Sequence, residues 1–395
     1  MIRWRPGKSG VHRIWRATLN KRGRGGDASL PATTARLHIA RAIERDLIPW
    51  FLAQQRDLPW RKNRTPYRVW ISELMLQQTR VDTVIPYYQR FMRAFPSLAA
   101  LARAREQDVL KAWEGLGYYG RARRARETAI RLVEQSRGRF PRTPAELQQL
   151  PGIGTYTAAA IASLAYGYPS AVVDGNVIRV VSRWFGLKRR ADDPRLKAQV
   201  QELAQALLPP GQAADFNEAV MELGALLCSP RAPRCKDCPM VSVCHAASSG
   251  NAEAYPAAKV RSRPPVRHVG AGVIVGPDGR ILIAQRKSDA MLGGMWEFPG
   301  GGVEEGETIP GCIARELKEE LGLTVRVGEP VITVKHTFTH FTMFLHAYFV
   351  YPVRGKPRPL GCADWAWVEI DAIAGYPLPR ADQKIYAAVR SRLGS

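Results

Sequence analysis

The run from Leu150 to Val177, LPGIGTYTAAAIASLAYGYPSAVVDGNV, leaves the backbone few courses. Pro151, Gly152 and Gly154 stop one helix, and the alanine-rich segment from Thr157 starts another. Leu150-Pro151-Gly152-Ile153-Gly154 is therefore a hairpin between two helices. Its unpaired N–H groups, backed by the dipole of the second helix, suit an anion such as a nucleic-acid phosphate. Asp174 follows twenty residues after Gly154, with Gly175 and Asn176 behind it. That carboxylate either stands beside the bound anion or caps a helix beginning near Val177.

The rest of the chain arranges itself around this hairpin. Helical periodicity starts at Leu37 and recurs over 66–80, 82–94, 97–102, 106–114, 120–136, 144–149, 155–166, 175–186, 194–208 and 215–227, so 37–250 is an all-α domain. Residues 1–36 are rich in Arg, Lys and Gly and lack that periodicity, and a disordered basic extension is expected. Small, polar and proline-containing residues make 251–267 a linker. The period then changes: a hairpin turning at Pro277-Asp278-Gly279, a helix over 309–321 and β-rich runs at 324–335 and 341–352 predict an α/β domain over 268–395.

The net charge of +23 lies mostly within the first 250 residues, which points to a polyanionic partner for the helical part. No apolar run approaches the ~20 residues that span a bilayer, and the N-terminus lacks a secretory apolar core. A cytoplasmic, nucleoid-associated monomer without membrane contact is expected. Cys228, Cys235, Cys238 and Cys244 are spaced C-x6-C-x2-C-x5-C. In a reducing compartment this quartet reads as a metal site, either zinc or an iron-sulfur cluster. Arg231, Arg234 and Lys236 sit in its loop, where they could reach phosphates.

A second carboxylate belongs beside Asp174. Glu73 is the one acid in the apolar helix Trp70-Ile71-Ser72-Glu73-Leu74-Met75-Leu76. Burial there would raise its pKa and suit it to general-acid chemistry, while a polar position on an amphipathic helix is the plainer reading. A protonated and an ionised carboxylate together can cleave an N-glycosidic bond, one protonating the leaving base and one steadying the cationic sugar.

SELMLQQTRVDTVIPYY, LGYYGRARR, LPGIGTYTA and VVDGNV together resemble the adenine DNA glycosylases of the MutY type, within the helix-hairpin-helix glycosylase superfamily. The resemblance covers 37–250. It implies two helical lobes around DNA, with Glu73 protonating adenine at N7 and later activating water. It assigns Asp174 to stabilising the oxocarbenium ion and Tyr156 and Asn176 to assisting at the sugar. Arg56, Trp60, Arg61, Leu76, Gln78 and Glu218 would line the adenine pocket, and Gln77 and Tyr118 would fill the gap left by base flipping. Endonuclease III-like relatives carry a Schiff-base lysine where this chain has Tyr156, so base excision without strand cleavage is expected. By the same resemblance the four cysteines hold a 4Fe-4S cluster, and the partner is duplex DNA with adenine opposite 8-oxoguanine or guanine.

Gly301 to Leu323 spells a complete Nudix box, G-x5-E-x7-R-E-L-x-E-E-x-G-L. Glu316, Glu319 and Glu320 fall on one helix face, where they could hold Mg2+ against a diphosphate. Glycosylases of this type usually have a Nudix-like domain that reads 8-oxoguanine but lacks these glutamates. Three readings follow: a pyrophosphatase acting on a nucleotide such as 8-oxo-dGTP, a silent fold, or a metal site that steadies DNA recognition. Phe338, Thr339 and His340 resemble the Phe-Ser-His loop that contacts 8-oxoguanine, with Thr339 keeping the hydroxyl.

Overall fold

The computed structural model describes residues 33–259, 264–338 and 340–393. The expectation for residues 1–32 and the role given to Thr339 fall outside them. Helix α1, Thr33–Ala42, takes in the last four residues of the supposed extension. Arg36 is buried there, so packing starts earlier than apolar periodicity suggests.

The chain forms two compact units, residues 1–78 with 139–261 and residues 79–138 with 262–395. These divisions differ from boundaries read along the sequence, because 79–138 groups with the C-terminal part.

In the first unit, α1 passes through a π-helical turn, Ile43–Leu47, into α2, Ile48–Gln54. Thr65 accepts from the Arg68 N–H and Pro66 takes the first helical turn to start α3, Pro66–Leu76. After the second unit's helices the chain returns through α8, Pro144–Leu147, whose Thr143 and Glu146 form a capping box. The hairpin leads into α9, Thr155–Tyr166. Then come α10, Gly175–Phe185, α11, Pro194–Leu207, and α12, Ala213–Leu226. Phe51, Leu47, Val180, Leu203, Phe216 and Leu223 meet in its main core. Ala159 and Ala160 pack on Val172, so small residues let α9 lie close to the segment leading to Asp174.

The segment read as a linker is partly structured. Tyr255 is buried, and Ala257 exchanges backbone hydrogen bonds with Arg189 and Ala191.

The second unit has α4, Val81–Ala94, α5, Leu98–Arg103, α6, Glu106–Trp113, and α7, Gly120–Ser136. Its seven-stranded sheet has the order β3-β2-β1-β6-β5, with β4 on β1 and β7 on β2. The strands are β1 Val266–Val275, β2 Ile281–Gln285, β3 Trp296–Glu297, β4 Gly300–Gly302, β5 Thr324–Thr337, β6 Thr342–Arg354 and β7 Asp364–Val368. β1 and β6 are parallel. Both faces are covered, which is why VIV and ILIA read as unbroken apolar runs. Ile274 and Leu282 face the box helix α13, Ile309–Leu321, whereas Val273 and Ile283 face α14, Arg380–Leu393. Helix α6 joins the sheet domain by polar bonds. The Trp296 indole donates to Gln107, Gln107 donates to the Gly294 carbonyl, and Glu114 accepts from the Leu378 N–H at 2.7 Å.

Candidate active site

Both carboxylates singled out in the sequence lie in the first unit. Glu73, on α3, is 5% exposed, and Tyr156, in the first turn of α9, donates its hydroxyl to Glu73 Oε2 at 2.7 Å. Burial pushes the Glu73 carboxyl up to about 7; the Tyr156 hydrogen bond opposes the rise, and the nearby charges of Asp174 and Glu218 reinforce it. The Tyr156 phenol is itself held well above its ordinary value by burial and by Glu73, so it remains a donor.

Asp174 caps α10: one oxygen accepts from the Val177 N–H at 2.7 Å and the other from the Asn176 amide at 2.9 Å. Capping and proximity to Glu73 are thus compatible. Burial raises the Asp174 carboxyl, and the Val177 N–H, Asn176 and Arg179 all favour its ionised form. Glu73 receives one such bond. The environments therefore differ in the direction an acid and a charge stabiliser require.

The segment before Asp174 is pinned by α11 and α12. Asn217, 1% exposed, accepts from the Val172 N–H and donates to the Ser170 carbonyl, and Gln205 accepts from the Ala171 N–H. Asn176 also accepts from Arg179, whose guanidinium continues to the carbonyls of Gly224 and Cys228.

The proposed adenine-pocket residues do not all behave alike. Trp60 is buried, Leu76 is half-buried at the end of α3, and Gln78 is exposed in the left-handed region with φ 60°. Arg61 donates to Glu218 at 3.0 Å, and Arg64 pairs with the other Glu218 oxygen. Burial raises the Glu218 carboxyl against those two arginines. Arg56 and Arg61 both donate to Glu222. Burial alone would raise Glu222, but those bonds hold it down at about 2. Glu222 was not anticipated, although an acid in the apolar run AVMELGAL carries the same signal that singled out Glu73.

The turn between the helices is formed, but the N–H groups of Leu150 and Ile153 are taken up by the Leu147 and Leu150 carbonyls. Gly152 has φ 71°, Ile153 is buried, and no side chain caps α9 at Gly154. The Gln77 amide donates to Thr157 at 3.2 Å. Tyr118, in the second unit, is 46% exposed with φ 50° and the Arg121 guanidinium over its ring.

All four cysteines of the quartet are free thiols, half-buried, and line one cavity. Burial is the main cause that pushes Cys238 up to about 12, and the neighbouring charges of Cys228, Cys244 and Cys235 add to the rise. Four ionised sulfurs so close together call for a cationic core. Arg183, 2% exposed, donates to Cys228 Sγ at 3.2 Å and to the carbonyls of Ser229, Pro230 and Tyr255.

Residues 71–209 match the HhH-GPD superfamily of base excision DNA repair proteins, and residues 270–388 match the NUDIX domain. The chain is 36% identical over 398 residues to an adenine DNA glycosylase of Rattus norvegicus, covering 87% of this chain and 77% of that protein. The chain belongs to the adenine DNA glycosylases. The Homo sapiens adenine DNA glycosylase is 35% identical, covering 81% of this chain and 70% of its own length. That of Schizosaccharomyces pombe is 30% identical, with 82% and 84% covered.

The C-terminal part of this adenine DNA glycosylase carries its own acidic centre. Arg315 bonds Glu307 at 2.9 Å, Glu316 at 3.0 Å and Glu319 at 3.2 Å. Burial raises Glu320 to about 7, and the like charges of Glu297 and Glu316 add to the rise. Cys312 and Cys362 are buried. Phe338 lies in the β5–β6 turn, bonded by its N–H to the Phe341 carbonyl and stacked on that ring, while His340 is exposed.

Proposed function

We propose that this glycosylase removes adenine mispaired with 8-oxoguanine or guanine in duplex DNA and leaves an abasic site. The observation that carries the reading is Glu73, buried, raised to about 7 and hydrogen-bonded to Tyr156, near Asp174, which caps α10. Glu73 gives its proton to N7 of the flipped adenine. The bond from C1′ to N9 then breaks, and its electrons go to the base. Asp174 faces the resulting sugar cation, with Asn176 fixing the carboxylate and Tyr156 fixing Glu73. Ionised Glu73 takes a proton from water as its oxygen adds to C1′, restoring the acid. With Tyr156 in place of an amine, no Schiff base forms.

Trp60, Leu76, Arg56, Arg61, Glu218 and Gln78 belong to the adenine side, and Gln77 and Tyr118 fill the vacated stack. The hairpin Leu150 to Gly154 anchors a phosphate through the N–H groups of Gly152 and Gly154, those of Leu150 and Ile153 being bonded within the turn. Phe338, Thr339 and His340 face the opposite base. Cys228, Cys235, Cys238 and Cys244 hold a 4Fe-4S cluster, which would supply cationic charge and tie down the loop carrying Arg231, Arg234 and Lys236. The protein works on DNA in a reducing, cytoplasmic compartment; none of its described helices is long and apolar enough to cross a membrane.

The test is adenine release from an 8-oxoguanine:adenine duplex by wild type and Glu73→Gln. We expect a loss of about 10³-fold or more in the variant. Retained activity would sink the acid assignment, and strand nicking that keeps pace with base release without alkali would sink the one-step assignment.

A second reading rests on the crowded carboxylates of the box. Glu316, Glu319 and Glu320 would hold Mg2+ for hydrolysis of an oxidised nucleoside triphosphate such as 8-oxo-dGTP. Full-length protein given 8-oxo-dGTP and Mg2+ should release pyrophosphate above a Glu319→Gln control; equal rates remove this reading.

A further inference from the structure

We infer that Glu222 is a positioning residue of the base pocket: one buried carboxylate that fixes Arg56 and Arg61 on the loop between α2 and α3. The inference rests on the glycosylase reading and adds a residue to it. Glu222 is 1% exposed, and its two oxygens receive five donors. The Arg56 backbone N–H and Nε reach Oε1 at 2.9 Å, and Arg56 Nη2 reaches Oε2 at 2.7 Å. Arg61 Nη1 and Nη2 reach the same two oxygens at 3.2 and 3.0 Å. Two guanidinium forks on one carboxylate fix both planes, which a single monodentate contact does not.

The fork fixes more than two side chains. Arg61 Nη1 also donates to the Arg56 carbonyl at 3.0 Å, so the loop is tied to itself as well as to α12. Trp60, buried, lies between the two arginines in sequence and is carried by the same loop. One helical turn before Glu222, Glu218 takes the remaining Arg61 donor, and Glu218 is one of the charges that raise Glu73. Glu222 thus holds the loop that faces the base and fixes the arginine that partly neutralises Glu218. It is well suited to this, because its carboxyl stays ionised throughout the range in which Glu73 titrates.

The test uses full-length protein with Glu222→Gln, which keeps the shape and loses the charge, and Glu222→Asp, which keeps the charge. Three quantities are measured. The first is the single-turnover rate of adenine release at saturating enzyme. The second is affinity for a duplex with a tetrahydrofuran abasic analogue in place of the adenine nucleotide, which offers no base to the pocket. The third is amide hydrogen exchange over residues 55–65, which reports the clamp whether or not the protein excises adenine. For Glu222→Gln we expect the rate to fall about 100-fold, the analogue affinity to stay within about twofold and exchange at Arg56 to Arg61 to rise about tenfold, with α9 and α10 unchanged. Glu222→Asp should recover part of both the rate and the protection. Unchanged exchange in Glu222→Gln overturns the clamp, as does equal loss of rate and analogue affinity, or a Gln variant that outperforms Asp. Failure of the glycosylase reading would be visible separately, as a wild type that protects the loop yet releases no adenine.

Discussion

Burying Glu73 costs the fold stability. Its carboxyl ionises near 4.5 when exposed and at about 7 in the fold, so the native state holds the proton longer and stability falls as pH rises between those values. Glu73→Gln should therefore stabilise the protein by roughly 3 kcal/mol at pH 8 and by less than about 1 kcal/mol at pH 5, read by denaturant unfolding at both pH values. The activity limb runs the same way: in the mechanism we propose excision needs the protonated form, so the rate should fall about tenfold per pH unit above 7. Tyr156→Phe removes the bond that favours the ionised form and should move that limb upward even as the maximal rate drops. A limb that moves down would mean the phenol stabilises the neutral acid. The acid was legible in the sequence because a lone carboxylate among Leu74, Met75 and Leu76 has few reasons to be there. Its bond to Tyr156 was not legible, because it links positions 83 residues apart.

At the scale of elements, Asp174 and Asn176 depend on how closely α10 and α12 approach. A Cβ at Gly224 would stand 2.6 Å from Asn176 Cβ and 3.3 Å from its Cα. Gly224→Ala must push the cap of α10 aside; we expect a cost of about 1–3 kcal/mol and an excision rate reduced about tenfold, with duplex affinity little changed. Asn217→Ala removes the two bonds that pin Ser170 and Val172, and should cost about 1–3 kcal/mol in thermal unfolding. The helices themselves were readable from periodicity and caps: the observed limits of 155–166 and 175–185 match those read from pattern to within a residue, whereas the helix read as 66–80 ends at Leu76. What pattern could not supply was the partner of each buried face. Asn217 and Glu222 look alike in sequence, as polar positions on one apolar helix, yet one pins a loop before Asp174 and the other clamps two arginines.

Over the whole molecule the chain is interleaved, since residues 79–138 leave the first unit and pack with 262–395. Cutting the chain near residue 261 should therefore not free the C-terminal part: Gln107 and Glu114 still hold Trp296, Gly294 and Leu378, and both pieces should elute together from a sizing column. Lys111→Ala with Glu114→Ala, which removes the bonds to the Tyr376 carbonyl and the Leu378 N–H, should loosen that association. The sequence alone determined the helical and α/β halves, the hairpin, the cysteine quartet, the Nudix box and the two carboxylates, because each is a local pattern of backbone permission or ligand spacing. Tertiary structure alone decided that Asp174 is a cap as well as a charge, that Glu222 gathers two arginines and that 79–138 packs with the sheet domain. Those depend on which buried groups meet, and burial of a charge is settled by partners that the chain brings from far away. The hairpin shows both sides of this: Pro151 and Gly152 dictate its turn locally, whereas the acid that Tyr156 holds beyond it comes from α3.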